Sequence, residues 1–165
     1  MYGSAIAFET YHTTRGRTTP LEWDAAYIES ALLVASEWLD GKYGDRFYGH
    51  PTDGYTQTRQ WPREAAYTNS TPSYTFLPDE IPTEVVEAVY EVAWREANEP
   101  GCLSVDFTPS KYNSVRIDGA MYVQYNNSLD AQDVQKQIEP VERMLKILFD
   151  PKKYSSTLSG GSVRV

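Results

Sequence analysis

Thr19-Pro20-Leu21-Glu22-Trp23 opens a stretch that runs to Gly44, and within it Ile28, Leu32, Ala35 and Leu39 recur at spacings of four, three and four. That period is helical and places the four side chains on one face. Trp23, Tyr27, Val34 and Trp38 make a second apolar strip beside it, so the helix needs covering from two sides. At its start Thr19 is a cap, Pro20 has the first-turn φ already set, and Glu22 can reach back to the Thr19 amide. At its end stand Gly41 and Gly44, with Lys42 near the last carbonyls, where the helix dipole favours a cation. A helix this apolar makes the fold a packed bundle, and its neighbours in sequence are the first candidates for partners.

On the N-terminal side, Ala5 to Arg15 reads as a short helix closed by Gly16. On the other side, from Tyr43 to Pro78, the periodicity vanishes and Gly, Pro, Thr, Ser and Tyr accumulate, the pattern of a long connecting loop. Structureless loops of this length inside a compact domain tend to be functional or disordered. Within it lies Gln57-Thr58-Arg59-Gln60-Trp61-Pro62-Arg63. In one reading Arg59 and Arg63 stack on Trp61 and pair with nearby carboxylates, anchoring Trp61-Pro62 to the bundle through contacts of about 1 kcal/mol each. In another, the same anchor presents the loop to a neighbouring subunit.

Ile81-Pro82 restarts a helix, with Val85, Val86, Val89, Val92 and Ala93 on one side and Asp79, Glu80 and Glu84 at the end that favours negative charge. Glu87, Glu91 and Glu96, with Arg95, read as its solvated or lumen-facing side. Pro100-Gly101 stops it. Ser104 to Thr108, Ser114 to Ile117 and Met121 to Tyr125 then alternate in the strand manner, with Asp118-Gly119 as a turn, predicting a two- or three-stranded arm over about 103–126. Such an arm is marginal alone and has to lie against the bundle or a partner. Pro140 splits the last helical pattern, leaving Gln135 to Glu139 as a lead-in turn. Val141, Leu145, Leu148 and Phe149 form its apolar face, and Asp150-Pro151 ends it. Residues 1–150 thus read as one mainly α domain, a small helical bundle with an inserted β-hairpin arm and a long loop. Residues 151–165, with Lys152, Lys153 and Arg164 and no acid, read as an extended tail that is either a disordered end or a docking strand.

At 165 residues, the chain can bury one core without metal or disulfide staples. Its 23 acidic residues against 15 Lys and Arg give a net charge of −8, which argues against duplex binding but leaves room for an acidic channel past which DNA slides. The 13 tyrosines and 4 tryptophans are a balance found both in cores and at protein contacts. With Cys102 as the single cysteine, no intrachain disulfide forms, and the cell interior is the expected compartment. Met1 to Phe8 carry no basic segment ahead of an apolar run and no stretch reaches the length of a membrane span, so the expectation is a soluble, unprocessed protein. His12 and His50 stand in no metal-ligand spacing, and there is no phosphate loop, nucleophile elbow or carboxylate pair. The expectation is a protein without catalysis, cofactor or metal.

Ala7-Phe8-Glu9-Thr10-Tyr11-His12 with Arg15-Gly16, then Ala31 to Asp40, then Tyr43-Gly44 with Arg46 and Gly49, stand in a fixed order along the chain. Gln57, Arg59 and Trp61-Pro62-Arg63, Ile81-Pro82 with Ala88, Glu91 and Ala93, Ile117-Asp118-Gly119, and the Val141 to Phe149 helix follow in turn. This set resembles the head-tail connector, or adaptor, proteins of tailed phages over roughly residues 5 to 150. Trp-Pro-Arg followed by Ile-Pro is its most specific part. The loop from Glu64 to Pro78 is longer than the family's, and Cys102 to Asn113 does not align with it. Sequences of this kind are also described as DnaT-like single-stranded-DNA-binding proteins.

The resemblance implies a homo-oligomeric ring, a dodecamer, beneath the portal protein at the head-tail interface of the virion, assembled in the host cytoplasm. Double-stranded DNA would pass through its lumen without sequence-specific binding. Lys152, Lys153, Tyr154 and Arg164 would dock on the portal side, the Glu64 to Pro78 loop would face a neighbour or the tail-side proteins, and acidic helix faces would repel DNA in the lumen. Closed rings tolerate moderate contacts because each is repeated. In the competing class, single-stranded DNA binding, Trp61, Tyr67 and Tyr74 stack bases while Arg59 and Arg63 hold phosphates. A third reading is a host-directed regulatory protein of the phage.

Overall fold

Asp24 starts the long helix: its carboxylate accepts a hydrogen bond from the Tyr27 amide at 2.7 Å, and α2 runs over Ala25–Tyr43. The Thr19-Pro20 start expected from the sequence is corrected by this cap. The Trp23 amide donates to the Pro20 carbonyl at 3.1 Å in a turn that leaves Leu21 fully exposed. The computed structural model describes residues 1–104, 114–117, 121–124 and 138–154, the side chains of 114–117, 121–124 and 154 excepted.

The apolar faces read from the sequence are the ones buried. Ile28, Leu32, Ala35 and Leu39 of α2 meet Val85, Val89, Val92 and Ala93 of α3 (Thr83–Asn98), and Val141 and Leu145 of α4 (Glu139–Leu145) close the other side of α3. Each Ile, Leu or Val so covered contributes about 1.5–3 kcal/mol. α1 (Ala5–Thr14), capped by Ser4, lays Phe8 into the same core, and Trp23, Tyr27, Val34 and Trp38 pack at its edge.

Gly41 lies inside α2, which ends at Tyr43 with Gly44 as its cap, as expected, and a 3-10 turn, Gly44–Arg46, follows. The absence of a side chain at Gly44 also makes room for Gln60, whose Cδ would lie 2.7 Å from a Cβ there. Pro140 sits in the first turn of α4, at the start of that helix, and 135–137 of the expected lead-in lie outside the described residues. A 3-10 turn, Lys146–Leu148, follows, and Asp150-Pro151 then opens a further helical turn, α5 (Pro151–Tyr154), with Asp150 Oδ1 accepting from the Lys152 amide at 2.9 Å.

The segment between α2 and α3 is irregular but pinned. β1 (His50–Pro51) pairs antiparallel with β2 (Arg63–Glu64), and isolated bridges join Phe47 to Phe149 and Tyr67 to Thr75. Gly49 holds φ +68°, and a Cβ there would lie 2.0 Å from the Glu64 carbonyl oxygen. Gly49→Ala is therefore expected to cost about 1–2 kcal/mol for the left-handed backbone alone. Displacement of β2 adds to that, so thermal melting should show Tm falling by at least about 4 °C. In the arm, β3 (Ser114–Ile117) and β4 (Met121–Gln124) pair antiparallel with Val115 opposite Val123. The expected strand at 105–108 and the turn at 118–119 lie outside the described residues.

Candidate functional site

Arg59, Trp61, Pro62 and Arg63 form an inward-facing anchor. Trp61 is 2% exposed, its ring set edge-on to Phe47 and Phe76 at centroid distances of 5.5 and 5.6 Å, and its amide donates to the Tyr2 hydroxyl at 3.0 Å. Arg63 is 3% exposed, and its guanidinium donates to the Tyr48 and Gly49 carbonyls, both at 2.8 Å, and to the Gln60 side chain at 2.8 Å. Arg59 pairs with Glu37 at 3.4 Å and Asp40 at 3.6 Å. The cation–π partner of Arg63 is Phe47, at 5.9 Å, rather than Trp61. Burial raises the Asp40 carboxyl above its usual range, against the opposing pull of Tyr2 and Arg59.

This geometry corrects the single-strand site drawn from the sequence. Trp61 offers no face to a base, and the Arg63 donors are spent on carbonyls. Tyr67 and Tyr74 are exposed, but the Tyr74 hydroxyl donates to Glu80 at 3.1 Å.

The acidic side expected of α3 also turns inward. Glu91 is buried and accepts from Arg17 at 3.0 Å and Arg95 at 3.1 Å, and Glu96 accepts from the Gly101 amide at 2.6 Å. Only Glu87 faces outward, paired with Arg15 at 3.4 Å. His12 beside them is fully buried: Nε2–H donates to the Tyr90 carbonyl at 3.1 Å and Nδ1 accepts from Arg17 at 3.4 Å. Burial brings the His12 pKa down to about 4 and pushes the Tyr11 phenol up to about 12, the latter with help from Glu91. Burial pulls the Glu91 carboxyl upward, but its bonds to Arg17 and Arg95 outweigh that and hold it below its ordinary value. Every member is saturated by a neighbour, which makes the cluster a structural one. Among the described residues no group of His, Cys, Asp or Glu is arranged to hold a metal ion, and no helix is long and apolar enough to cross a membrane.

The exposed Arg143 and Lys146 and the largely covered Arg46 gather elsewhere. A cleft of about 570 Å³ lies along α4, with Arg143, Lys146 and Arg46 on its walls, Phe149 and Pro151 at one end and Asn69 reaching in from the loop. The Asn69 amide donates to the Ile147 carbonyl at 2.6 Å, which fixes the loop to this edge. Two positions back, Tyr67 is 41% exposed and stacks on Tyr48 with ring centroids 3.9 Å apart. The field of Asp150, next to Pro151, reaches the Tyr48 hydroxyl. Lys153 donates to the Phe47 carbonyl at 2.7 Å, and Lys152 is exposed on α5. Two of the basic positions expected in the tail thus follow directly on Pro151, which lines the cleft. Tyr154 ends α5, and Arg164 lies outside the described residues.

Sequence reasoning did not find Arg46, Asn69, Arg143 or Lys146. Arg143 and Lys146 are three apart on one helical face and were readable as a pair. Nothing local connects them to Arg46 or Asn69.

A family model described as "Putative DnaT-like ssDNA binding protein" matches residues 1–165, the whole chain. The chain belongs to that family. No curated protein and no solved structure matches it.

Proposed function

We propose that this DnaT-like chain binds single-stranded DNA along the α4 cleft. The observation that carries the reading is the convergence of Arg46, Arg143 and Lys146 on one cleft that Asn69 also lines, two residues along the chain from the exposed Tyr67 stacked on Tyr48. Single-strand sites combine a cationic groove with aromatic faces that accept any base, at about 1–3 kcal/mol per stacked base. Here Tyr67 supplies the stacking face, while Lys146 and Arg143, with the exposed Lys152 beyond Pro151, hold the backbone. The description of the family supports the same reading. No bond is made or broken in it.

A labelled oligothymidylate titrated in fluorescence anisotropy tests the proposal. Binding should weaken as salt rises, with log K falling by about 0.7 per phosphate contact in log salt. Lys146→Ala should remove about one contact and Tyr67→Ala about 1–3 kcal/mol, whereas no binding at low salt refutes the reading.

A second reading, the head-tail connector ring, rests on the sequence resemblance and on one observation: Ile6, Leu21, Leu33, Tyr55 and Leu77 are exposed apolar or aromatic side chains. In this reading they meet neighbouring copies, the portal and the tail-side proteins in the virion. Buried contact between copies would then supply stability that the cleft does not need. Light scattering and electron microscopy of the chain mixed with its portal protein test this, and the absence of both ring and complex counts against it.

A further inference from the structure

The cleft holds its own anions. Arg143 Nε meets Glu139 Oε1 at 2.9 Å across one helical turn, and Arg46 meets Glu142 at 3.5 Å. The other Glu142 oxygen accepts from the Tyr43 hydroxyl at 3.0 Å. Lys146 is the lining cation with no carboxylate opposite it among the described residues. Both carboxylates line the same cleft as the three cations, so a phosphodiester entering it meets negative charge already in place.

We infer that Glu142, and less strongly Glu139, competes with the phosphate for the cleft and sets the affinity of the site low. The inference rests on the single-strand reading of this cleft. The two carboxylates differ in how they yield. Glu139 and Arg143 are 71% and 77% exposed, a solvated pair whose partners separate with little loss, so Arg143 can turn to a phosphate. Glu142 is 23% exposed and fixed by two donors, so it stays in the cleft when the ligand arrives. Like charges held at short range in a partly desolvated cleft repel far more strongly than in bulk water. The arrangement reconciles a DNA-binding site with a chain of net charge −8: exchange with Glu139 and repulsion from Glu142 keep binding weak and reversible.

Glu142→Gln tests this with little change of shape, because the amide oxygen still accepts from Tyr43. Affinity for the labelled oligothymidylate should rise about tenfold, and the salt slope should steepen by about 0.7 as one more phosphate contact forms. Glu139→Gln should raise affinity by no more than about threefold. Adding Lys146→Ala to Glu142→Gln should reverse most of the gain. If the wild type binds and Glu142→Gln binds no tighter, the inference fails while the single-strand reading stands. If only the variant binds, the single-strand reading of the wild-type chain fails, and the inference, which sets a low affinity rather than none, fails with it. If neither binds, both are refuted. Melting curves establish that the variants are folded, and should Glu142→Gln fail to fold, the exposed Glu139→Gln decides by whether it gains at all.

Discussion

Trp61→Ala is expected to lower the free energy of unfolding by about 3–5 kcal/mol while leaving oligonucleotide affinity unchanged wherever the variant remains folded. The buried indole packs between Phe47 and Phe76, so truncation leaves a cavity where the loop meets the bundle. A loss of that size is a large part of the 5–15 kcal/mol typical of a domain. Trp61→Phe should cost less than Trp61→Ala. The indole Nε1 has no hydrogen-bond partner, so exchanging it for carbon leaves no donor orphaned. Urea unfolding followed by circular dichroism measures both, and the midpoint should move without a change in slope. Affinity that falls further than stability explains would instead place Trp61 at the interface and overturn its role as an anchor.

Acid is expected to unfold the protein from the α1–α3 side. His12 has a folded pKa of about 4 against about 6.5 unfolded, so the unfolded chain takes up a proton that the folded chain refuses. Stability contributed by the neutral, buried imidazole is complete above about pH 6.5 and drains away as pH falls toward 4. Over that window the loss is on the order of 3 kcal/mol. Glu91 acts in the same direction at lower pH, since its depressed carboxyl contributes stability above its unfolded value and loses it as the pair with Arg17 and Arg95 is protonated. His12→Gln should flatten the profile between pH 7 and 4 while leaving the steep fall below it. Denaturant unfolding at stepped pH reads both limbs, and an unchanged slope in the variant would show that His12 is not the group taking up the proton.

Much of the fold was legible because helix faces are a local property. Ile28, Leu32, Ala35 and Leu39 repeat at the helical period, and the same side chains are at zero or near-zero exposure. The helix restart at Ile81-Pro82 and the pairing of Ser114–Ile117 with Met121–Gln124 follow from equally local signals. Boundaries were less legible. Thr19-Pro20 carries the local signals of a start, but the chain there is held in a turn at Pro20, and Asp24 caps the helix instead.

The site was harder. Arg59, Trp61 and Arg63 invite a binding reading, since arginines and an aromatic side by side suit both a ligand and an anchor. Their direction depends on the distant groups that receive them: Tyr2, Asp40 and the Tyr48 and Gly49 carbonyls.

The sequence by itself determined which faces of the helices are apolar, that four helical segments share one core, and that the stretch between Tyr43 and Pro78 carries no regular helix, because these depend on spacing along a few turns. Only the tertiary structure decided which charges are free. Glu91 looks solvated in sequence and is buried because Arg17, 74 positions away, arrives beside it. The cleft exists because the chain folds back to bring Arg46 and Asn69 against α4, and the electrostatic meaning of a charged residue is set by what stands within a few ångströms of it in space.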